Sequence, residues 1–212
     1  MALKKYCRLL MTGDSVTDCG RARPVGTRAG MGSGYPSYIE TMLCAKHPEL
    51  CVWCENTGIS GNTSKALLER FDEDVIARKP DIVTIMIGIN DVWRHFDVPY
   101  FPADHISEDQ YRENMIAMIE KCRDNGIELI LITPNFLDLN KSDPMRRMND
   151  RFIAVLKELS DKYGVRLLDM QKIFDRYIRA NNTSYLLSAD RVHPNSTGHY
   201  LIADALYKEL LK

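Results

Sequence analysis

The sequence lacks several features that mark large classes of proteins. It contains no apolar run of the ~18 residues that a membrane-spanning helix needs, and no block of five or more lysines and arginines. A formal net charge of −1 gives no electrostatic basis for sequence-independent binding of nucleic acids. The residues before Gly13 contain no apolar core of signal-peptide length. We therefore expect a cytoplasmic protein that binds neither membranes nor nucleic acids.

Nor does the sequence have the cysteine density of a small disulfide-bonded protein, and its six cysteines are compatible with reduced thiols in the cytoplasm. Four side chains have the spacing C-x2-H-x3-C-x2-C, which is compatible with zinc binding: Cys44, His47, Cys51 and Cys54. Residues 50–55, however, read as a strand after a helix, and on a strand Cys51 and Cys54 would point to opposite faces. We favour free thiols over a zinc site, and we predict that the protein uses no metal or other cofactor.

The chain also lacks repeats, low-complexity segments and any linker rich in proline, glycine and serine. At roughly 100–200 residues per domain, the 212 residues predict one domain, residues 1–212. A chain of this size can bury a core without help from disulfides or metals.

What the chain does contain is a regular alternation of short apolar segments with helical patterns. The segments predicted as strands are Leu9–Thr12, Cys51–Glu55, Ile82–Ile87, Ile127–Ile132 and Val165–Leu168. Apolar residues at positions 148, 152, 155, 156 and 159 form one stripe of a helix, and similar stripes run through 111–122 and 202–210. This alternation predicts an α/β fold, with a central five-stranded parallel sheet and helices on both faces.

Polar clusters follow the first three predicted strands, and a fourth cluster follows the fifth strand and its helix. Ligands bind beyond the carboxyl ends of the strands in folds of this kind. The clusters are Gly13–Asp18, Asn56–Thr63, Gly88–Trp93 and Asp190–Pro194. Each one alone is typical of an ordinary turn. Their shared position at one edge of a sheet favours a functional site.

The residue types in these clusters suit acyl transfer by a serine. The Ser15 hydroxyl becomes a nucleophile only when a base such as an imidazole takes its proton. Asp190 precedes His193 by three residues, so one turn would bring its carboxylate to the second ring nitrogen and fix the tautomer. Gly58 permits close approach of the backbone, and the Asn90 amide offers an N–H to the oxyanion of the tetrahedral intermediate.

The same clusters resemble the four sequence blocks of the SGNH (GDSL) hydrolases. The matching residues are Gly13-Asp14-Ser15, Gly58, Gly88-x-Asn90-Asp91 and Asp190-x-x-His193-Pro194. Longer strings, which are similar to intracellular bacterial acetylxylan esterases of this superfamily, extend the resemblance over nearly the whole chain: Asp14–Pro24, Gly58–Thr63, Ile85–Arg94, Asp143–Arg147 and Asp190–Pro194. The resemblance implies the flavodoxin-like three-layer SGNH fold.

The resemblance also implies the roles of individual residues. Ser15, His193 and Asp190 would form the catalytic triad, and the Ser15 and Gly58 N–H groups with the Asn90 side chain would form the oxyanion hole. We assign substrate contacts to Asp14 and Trp93. The expected substrate is a small acetylated saccharide, in particular an acetylated xylo-oligosaccharide, and the expected assembly is a homo-oligomer.

Two other functions are compatible with parts of the sequence. A thioesterase or lysophospholipase-like acyl hydrolase would use the same triad on a broader range of acyl groups. A flavodoxin-like phosphate binder would use the segment Thr12–Ser15, but the Asp14 carboxylate would repel phosphate there. An α/β-hydrolase is disfavoured because the chain has no G-x-S-x-G sequence.

Overall fold

A computed structural model of the protein describes residues 3–25, 30–97, 105–181 and 186–212. The strands are β1 Arg8–Gly13, β2 Trp53–Asn56, β3 Ile82–Met86, β4 Glu128–Ile132 and β5 Arg166–Leu168. They form one parallel sheet in the order β2-β1-β3-β4-β5. β1 is thus the second strand of the sheet. The chain next forms the edge strand β2, and then crosses to the other side of β1 to form β3, β4 and β5.

Helices connect the strands. They are α1 Ser15–Asp18, α2 Tyr35–Lys46, α3 Ser64–Glu69, α4 Phe71–Asp74, α5 Ile89–Asp97, α6 Glu108–Asp124, α7 Pro144–Tyr163, α8 Met170–Asn181 and α9 Ser196–Leu210. Single 3₁₀ turns occupy Pro48–Leu50 and Ile76–Arg78. None of the helices in the described ranges is long and apolar enough to cross a bilayer.

Two hydrophobic cores lie on opposite faces of the sheet, because successive side chains of a strand point to opposite sides. Leu10 and Val83 face a layer built from α3, α4, α5, α6 and α7. Leu9 and Ile82 face a layer built from α2, α8 and α9. The predicted three-layer sandwich with a central five-stranded parallel sheet is confirmed.

The predicted strands are present, with small shifts at their ends. Every residue of β3 is buried, which explains its continuous apolar sequence. The second strand begins at Trp53 rather than Cys51, because the 3₁₀ turn before it ends with Cys51 in the left-handed region at φ 47°.

This shift corrects one argument about the cysteines. Cys51 lies outside the strand, so the alternation of strand faces does not separate it from Cys54. Cys44 and Cys51 are exposed free thiols, and the His47 ring is hydrogen-bonded to the Tyr207 hydroxyl at 2.8 Å. In the ranges that the structure covers, no group of three or more potential metal ligands comes together.

Local sequence signals set the ends of the longest helix, α7. The Asp143 carboxylate accepts hydrogen bonds from the N–H groups of Met145 and Arg146, and Pro144 occupies the first turn, where its missing N–H costs nothing. Gly164 ends the helix at φ 65°. The predicted apolar stripe, including Phe152 and Leu156, packs into the core on the side of α3–α7.

The register of the sheet aligns the carboxyl ends of its strands. Gly13 is paired with Met86, Met86 with Ile132, and Ile132 with Leu168. The segments that follow these residues therefore emerge together at one edge of the sheet.

Candidate active site

Three side chains from opposite ends of the chain form a hydrogen-bonded row at this edge. The Ser15 Oγ atom lies 2.8 Å from Nε2 of His193, and Nδ1 of His193 lies 2.6 Å from Oδ2 of Asp190. Ser15 begins α1 directly after β1, whereas Asp190 and His193 lie in the loop before α9. The predicted contact between the hydroxyl, the imidazole and the carboxylate is thus present in the structure.

A compact turn presents the Asp190 carboxylate to the ring. Its Oδ1 atom accepts hydrogen bonds from the N–H groups of Val192 (2.9 Å) and His193 (2.8 Å) and from the Ser188 hydroxyl (2.9 Å). Partial burial acts to raise the pKa of Asp190, but these hydrogen bonds and that from the His193 side chain outweigh it and lower the pKa below its ordinary value. The carboxylate is therefore ionised at neutral pH and fixes the proton of His193 on Nδ1, which leaves Nε2 able to accept the Ser15 proton.

Residues near the start of α7 hold this turn in place. Arg191 has a left-handed backbone conformation, with φ 69°. Its Nη1 atom forms two ion pairs, 3.3 Å from Oδ2 of Asp138 and 3.1 Å from Oδ2 of Asp143. The Leu137 N–H donates to the Arg191 carbonyl at 2.7 Å. In the sequence Asp143 stands out only as part of a matching string, because its place beside the histidine loop depends on contacts between distant segments.

Ser15 comes just after a close contact between the backbones of β1 and β3. Gly13 has φ 157°, and a Cβ atom there would lie 2.1 Å from the Met86 carbonyl oxygen, so the backbone requires glycine. Asp14 is 1% exposed, and its Oδ1 atom accepts the Val16 N–H at 2.9 Å as the cap of α1. Burial raises the pKa of Asp14 to about 7. Because this side chain is buried, the predicted substrate contact of Asp14 is not supported, and a capping role replaces it.

Ser15 and Asn90 each follow a strand at this edge of the sheet, and each has an N–H bond that no described residue accepts. Among the described residues, the Ser15 N–H has no acceptor. Asn90, at the start of α5, is 3% exposed, and its Nδ2 atom donates one hydrogen bond to the Asn62 carbonyl at 3.0 Å. The amide carries two N–H bonds, so one is left for an oxyanion.

Gly58 does not contribute in the way that the sequence predicts. Its N–H already donates to Oδ1 of Asn56 at 2.9 Å, and a Cβ atom at Gly58 would lie 2.4 Å from the Asp18 nitrogen. The glycine is needed for close packing of this loop against α1. We therefore correct its assignment as an oxyanion-hole donor.

Gly61 offers a candidate donor that sequence reasoning missed. It is the third residue of a turn closed by the hydrogen bond from the Asn62 N–H to the Ile59 carbonyl, and its φ of 83° suits that position. Gly61 is exposed, and its N–H donates to no described residue. The only sequence signal was a second glycine in the same segment.

A buried carboxylate links the segment after Gly61 to α5. Asp91, next to Asn90, accepts hydrogen bonds from the Ser64 hydroxyl and from the Ser64 N–H, the latter at 3.0 and 2.9 Å to its two oxygens. Burial raises the pKa of Asp91 to about 6. Asp91, the residue next to Asn90, is thus hydrogen-bonded to Ser64, the first residue of α3.

Comparison with known proteins identifies the family. The model of the GDSL-like lipase/acylhydrolase family matches residues 11–201. The chain belongs to this family. It is 40% identical over 205 residues to an acetylxylan esterase from Geobacillus stearothermophilus, covering 96% of this chain and 93% of that protein.

Solved structures support the same assignment for this GDSL hydrolase. The crystal structure of that esterase, Axe2, superimposes with a TM-score of 0.95 and covers 99% of this chain and 96% of Axe2 at 40% identity. A structure of LAE5, an alpha/beta hydrolase enzyme from the metagenome of Lake Arreo, has a TM-score of 0.93 at 35% identity, covering 99% and 98% of the two chains. The SGNH hydrolase fold implied by the sequence is confirmed.

One predicted substrate residue of this GDSL hydrolase lies beside the triad. The ring centre of Trp93 is 5.7 Å from that of His193, with the planes at 61°, so the indole contacts the imidazole edge to face. Trp93 is half-buried and Phe96 is exposed. Two further aromatic residues shortly after Trp93 in the sequence, Tyr100 and Phe101, lie outside the described residues.

Proposed function

We propose that the protein is a serine esterase that removes acetyl groups from acetylated xylo-oligosaccharides or related acetylated sugars. The observation that carries the proposal is the row Ser15–His193–Asp190, with contacts of 2.8 and 2.6 Å. The similarity of the chain to the Geobacillus acetylxylan esterase supports the choice of an acetyl group and of a saccharide substrate. Structures of Axe2 include catalytic mutants in which a serine, a histidine or an aspartate is replaced by alanine.

The first half of the reaction forms an acetyl-enzyme. His193 Nε2 takes the proton of Ser15 as Oγ attacks the acetyl carbonyl, and Asp190 stabilises the resulting imidazolium. The Ser15 and Gly61 N–H groups and the Asn90 amide stabilise the negative oxygen of the tetrahedral intermediate. The intermediate collapses, and the departing sugar oxygen takes the proton from His193.

In the second half of the reaction, water replaces the serine hydroxyl as the nucleophile and Ser15 becomes the leaving group. His193 accepts a proton from water, whose oxygen attacks the acetyl carbonyl, and returns that proton to Ser15 as acetate leaves. His193 is half-exposed, with 43% of its side chain accessible, so water can reach the ring. Trp93, next to this ring, is placed to contact a sugar face or to border a small acyl pocket.

Acetate release from a panel of acetylated xylo-oligosaccharides tests the proposal. We expect Ser15→Ala to lower kcat by about 10⁶-fold, because the nucleophile is lost. Ser33→Ala, which removes an exposed hydroxyl bonded to the Cys19 carbonyl, is the matched control. More than about a tenth of wild-type activity in Ser15→Ala would contradict the assigned role.

A broader acyl hydrolase is the second candidate. The chain is also 24% identical over 209 residues to an arylesterase from Vibrio mimicus, covering 97% of this chain and 88% of that protein. Rates on acyl thioesters and on p-nitrophenyl esters of increasing length separate the two functions. A preference for acyl chains longer than butyryl would contradict the sugar deacetylase.

Two further expectations accompany the proposed function. The resemblance predicts a homo-oligomer, which light scattering of the purified protein can test. A cytoplasmic location stays a prediction from the sequence, and fractionation of cells that produce the protein can test it.

A further inference from the structure

Arg70 lies behind the oxyanion hole, between α3 and α4, and it touches none of the reacting atoms. Its side chain is 15% exposed. The Nε atom donates to Oδ1 of Asn62 at 2.7 Å, Nη1 donates to the Thr57 carbonyl at 2.7 Å, and Nη2 donates to the Gly13 carbonyl at 3.2 Å. The planar guanidinium group thus donates to two backbone carbonyls and to one side-chain amide oxygen.

These three points belong to the segments that present the oxyanion donors. Gly13 is two residues before Ser15, while Thr57 precedes the turn that contains Gly61 and Asn62 is the last residue of that turn. The Gly13 carbonyl also accepts the Ile59 N–H at 3.1 Å, so the two segments are in direct contact. A shift of Arg70 would therefore change the distance between the Ser15 and Gly61 N–H groups.

A second residue fixes the guanidinium itself. Asp74, one turn along the chain, forms an ion pair with Nη1 at 2.6 Å. The guanidinium fork is suited to this task because it holds several donors in one rigid plane. A lysine ammonium is a compact charge and cannot reach acceptors spread along that plane.

We propose that Arg70 is a positioning residue for acyl transfer, which sets the separation of the Ser15 and Gly61 N–H groups by binding Gly13, Thr57 and Asn62 at once. This inference rests on the proposed function. It assigns to Arg70 an effect on the chemical step rather than on the binding of the saccharide.

Steady-state kinetics of Arg70→Lys on p-nitrophenyl acetate tests the proposal. We expect kcat to fall about 10²-fold with KM nearly unchanged, as for a displacement of about 1 Å in catalytic groups. Arg166→Lys is the matched control, since Arg166 also binds several acceptors, including Glu128 and Glu209, but at the amino edge of the sheet. We expect the control to lower the unfolding midpoint while kcat stays within about twofold, because its site is remote from the reaction.

Two further variants keep the test decisive if Arg70→Lys fails to fold. Asn62→Ala removes one acceptor of the guanidinium from a half-buried position and should lower kcat in the same way. In Arg70→Ala, millimolar guanidinium should restore part of kcat without changing KM. An unchanged kcat in Asn62→Ala together with no restoration by guanidinium would overturn the role of Arg70.

A double-mutant cycle separates alignment from a general loss of stability. If Arg70 acts through Asn62, Arg70→Lys combined with Asn62→Ala should be no slower than the slower single variant. Additive losses would contradict that coupling. A wild-type protein that hydrolyses no ester would instead refute the proposed function, and with it the role of Arg70, whereas an active wild type with fully active Arg70→Lys would refute the role alone.

Discussion

The two halves of the active site are held in different ways. The proton-transfer half, His193 and Asp190, lies in a loop where these side chains are 43% and 45% exposed. In the donor half the side chains are buried, since Asn90 is 3% exposed and the Asp91 carboxylate beside it is fully enclosed, whereas the Gly61 backbone is exposed. In ester hydrolysis, protons must pass to and from water and the leaving alcohol, whereas charge stabilisation requires donors that do not reorganise during the reaction. We infer that the open half handles exchange and the buried half supplies preorganisation.

Replacement of Asp190 probes the open half and should have the larger effect. We expect Asp190→Asn to lower kcat by about 10⁴-fold, because an amide no longer fixes the tautomer and charge of His193. The measurement is kcat on p-nitrophenyl acetate. Asp204→Asn, the same change in a surface ion pair with Lys208, is the control. An Asp190→Asn variant within tenfold of the wild type would mean that exposure makes this carboxylate dispensable.

Replacement of Asn90 probes the buried half. We expect Asn90→Ala to lower kcat by about 10²–10³-fold, the typical loss for one oxyanion-hole donor, with little change in KM. Asn125→Ala, at the exposed end of α6, controls for the loss of an amide. If Asn90→Ala proved slower than Asp190→Asn, the division between the two halves would have to be reversed. A loss confined to KM would mean that Asn90 binds the ground state instead.

The smallest expected effect concerns the stability of the buried half. Burial raises the pKa of Asp14 from 3.8 to about 7, so the folded state loses stability as the pH rises through this interval. Asparagine caps a helix as well as aspartate and does not titrate. We expect the unfolding free energy of Asp14→Asn to decrease less between pH 5.5 and 8.5 than that of the wild type, by roughly 2 kcal/mol at ~1.4 kcal/mol per pKa unit.

Urea unfolding of both proteins at the two pH values measures this difference. Asp91, whose pKa is raised to about 6, is present in both proteins, so its titration cancels in the comparison. Parallel pH dependence in the two proteins would show that the Asp14 carboxylate does not carry the effect.

The parts of the molecule that local patterns determine were predictable from the sequence. Strands β3 and β4 are buried on both faces and therefore carry nearly continuous apolar residues. The contact between Asp190 and His193 requires only one turn, and their separation of three residues indicates it. The rule that parallel strands place their following segments at one edge predicted the position of Ser15, but Asp190 and His193 follow α8 rather than a strand, so their meeting with Ser15 was indicated mainly by the resemblance.

The parts that depend on distant contacts were not predictable. Gly58 and Gly61 occupy the same segment, and no local pattern reveals that the Asn56 side chain accepts the Gly58 N–H. The Asp14 side chain folds back onto α1 instead of facing the site. The ion pair of Arg191 with Asp143 joins residues 48 positions apart, which no local pattern reveals.

The hydrogen bond between Ser15 and His193 joins positions 178 residues apart and has a consequence during protein synthesis. During translation the ribosome adds Ser15 long before it adds the base, His193. Until then the hydroxyl has no reactivity beyond that of any other serine. Chains that end before His193 therefore lack the base, and the hydroxyl can be activated only in chains that extend beyond it.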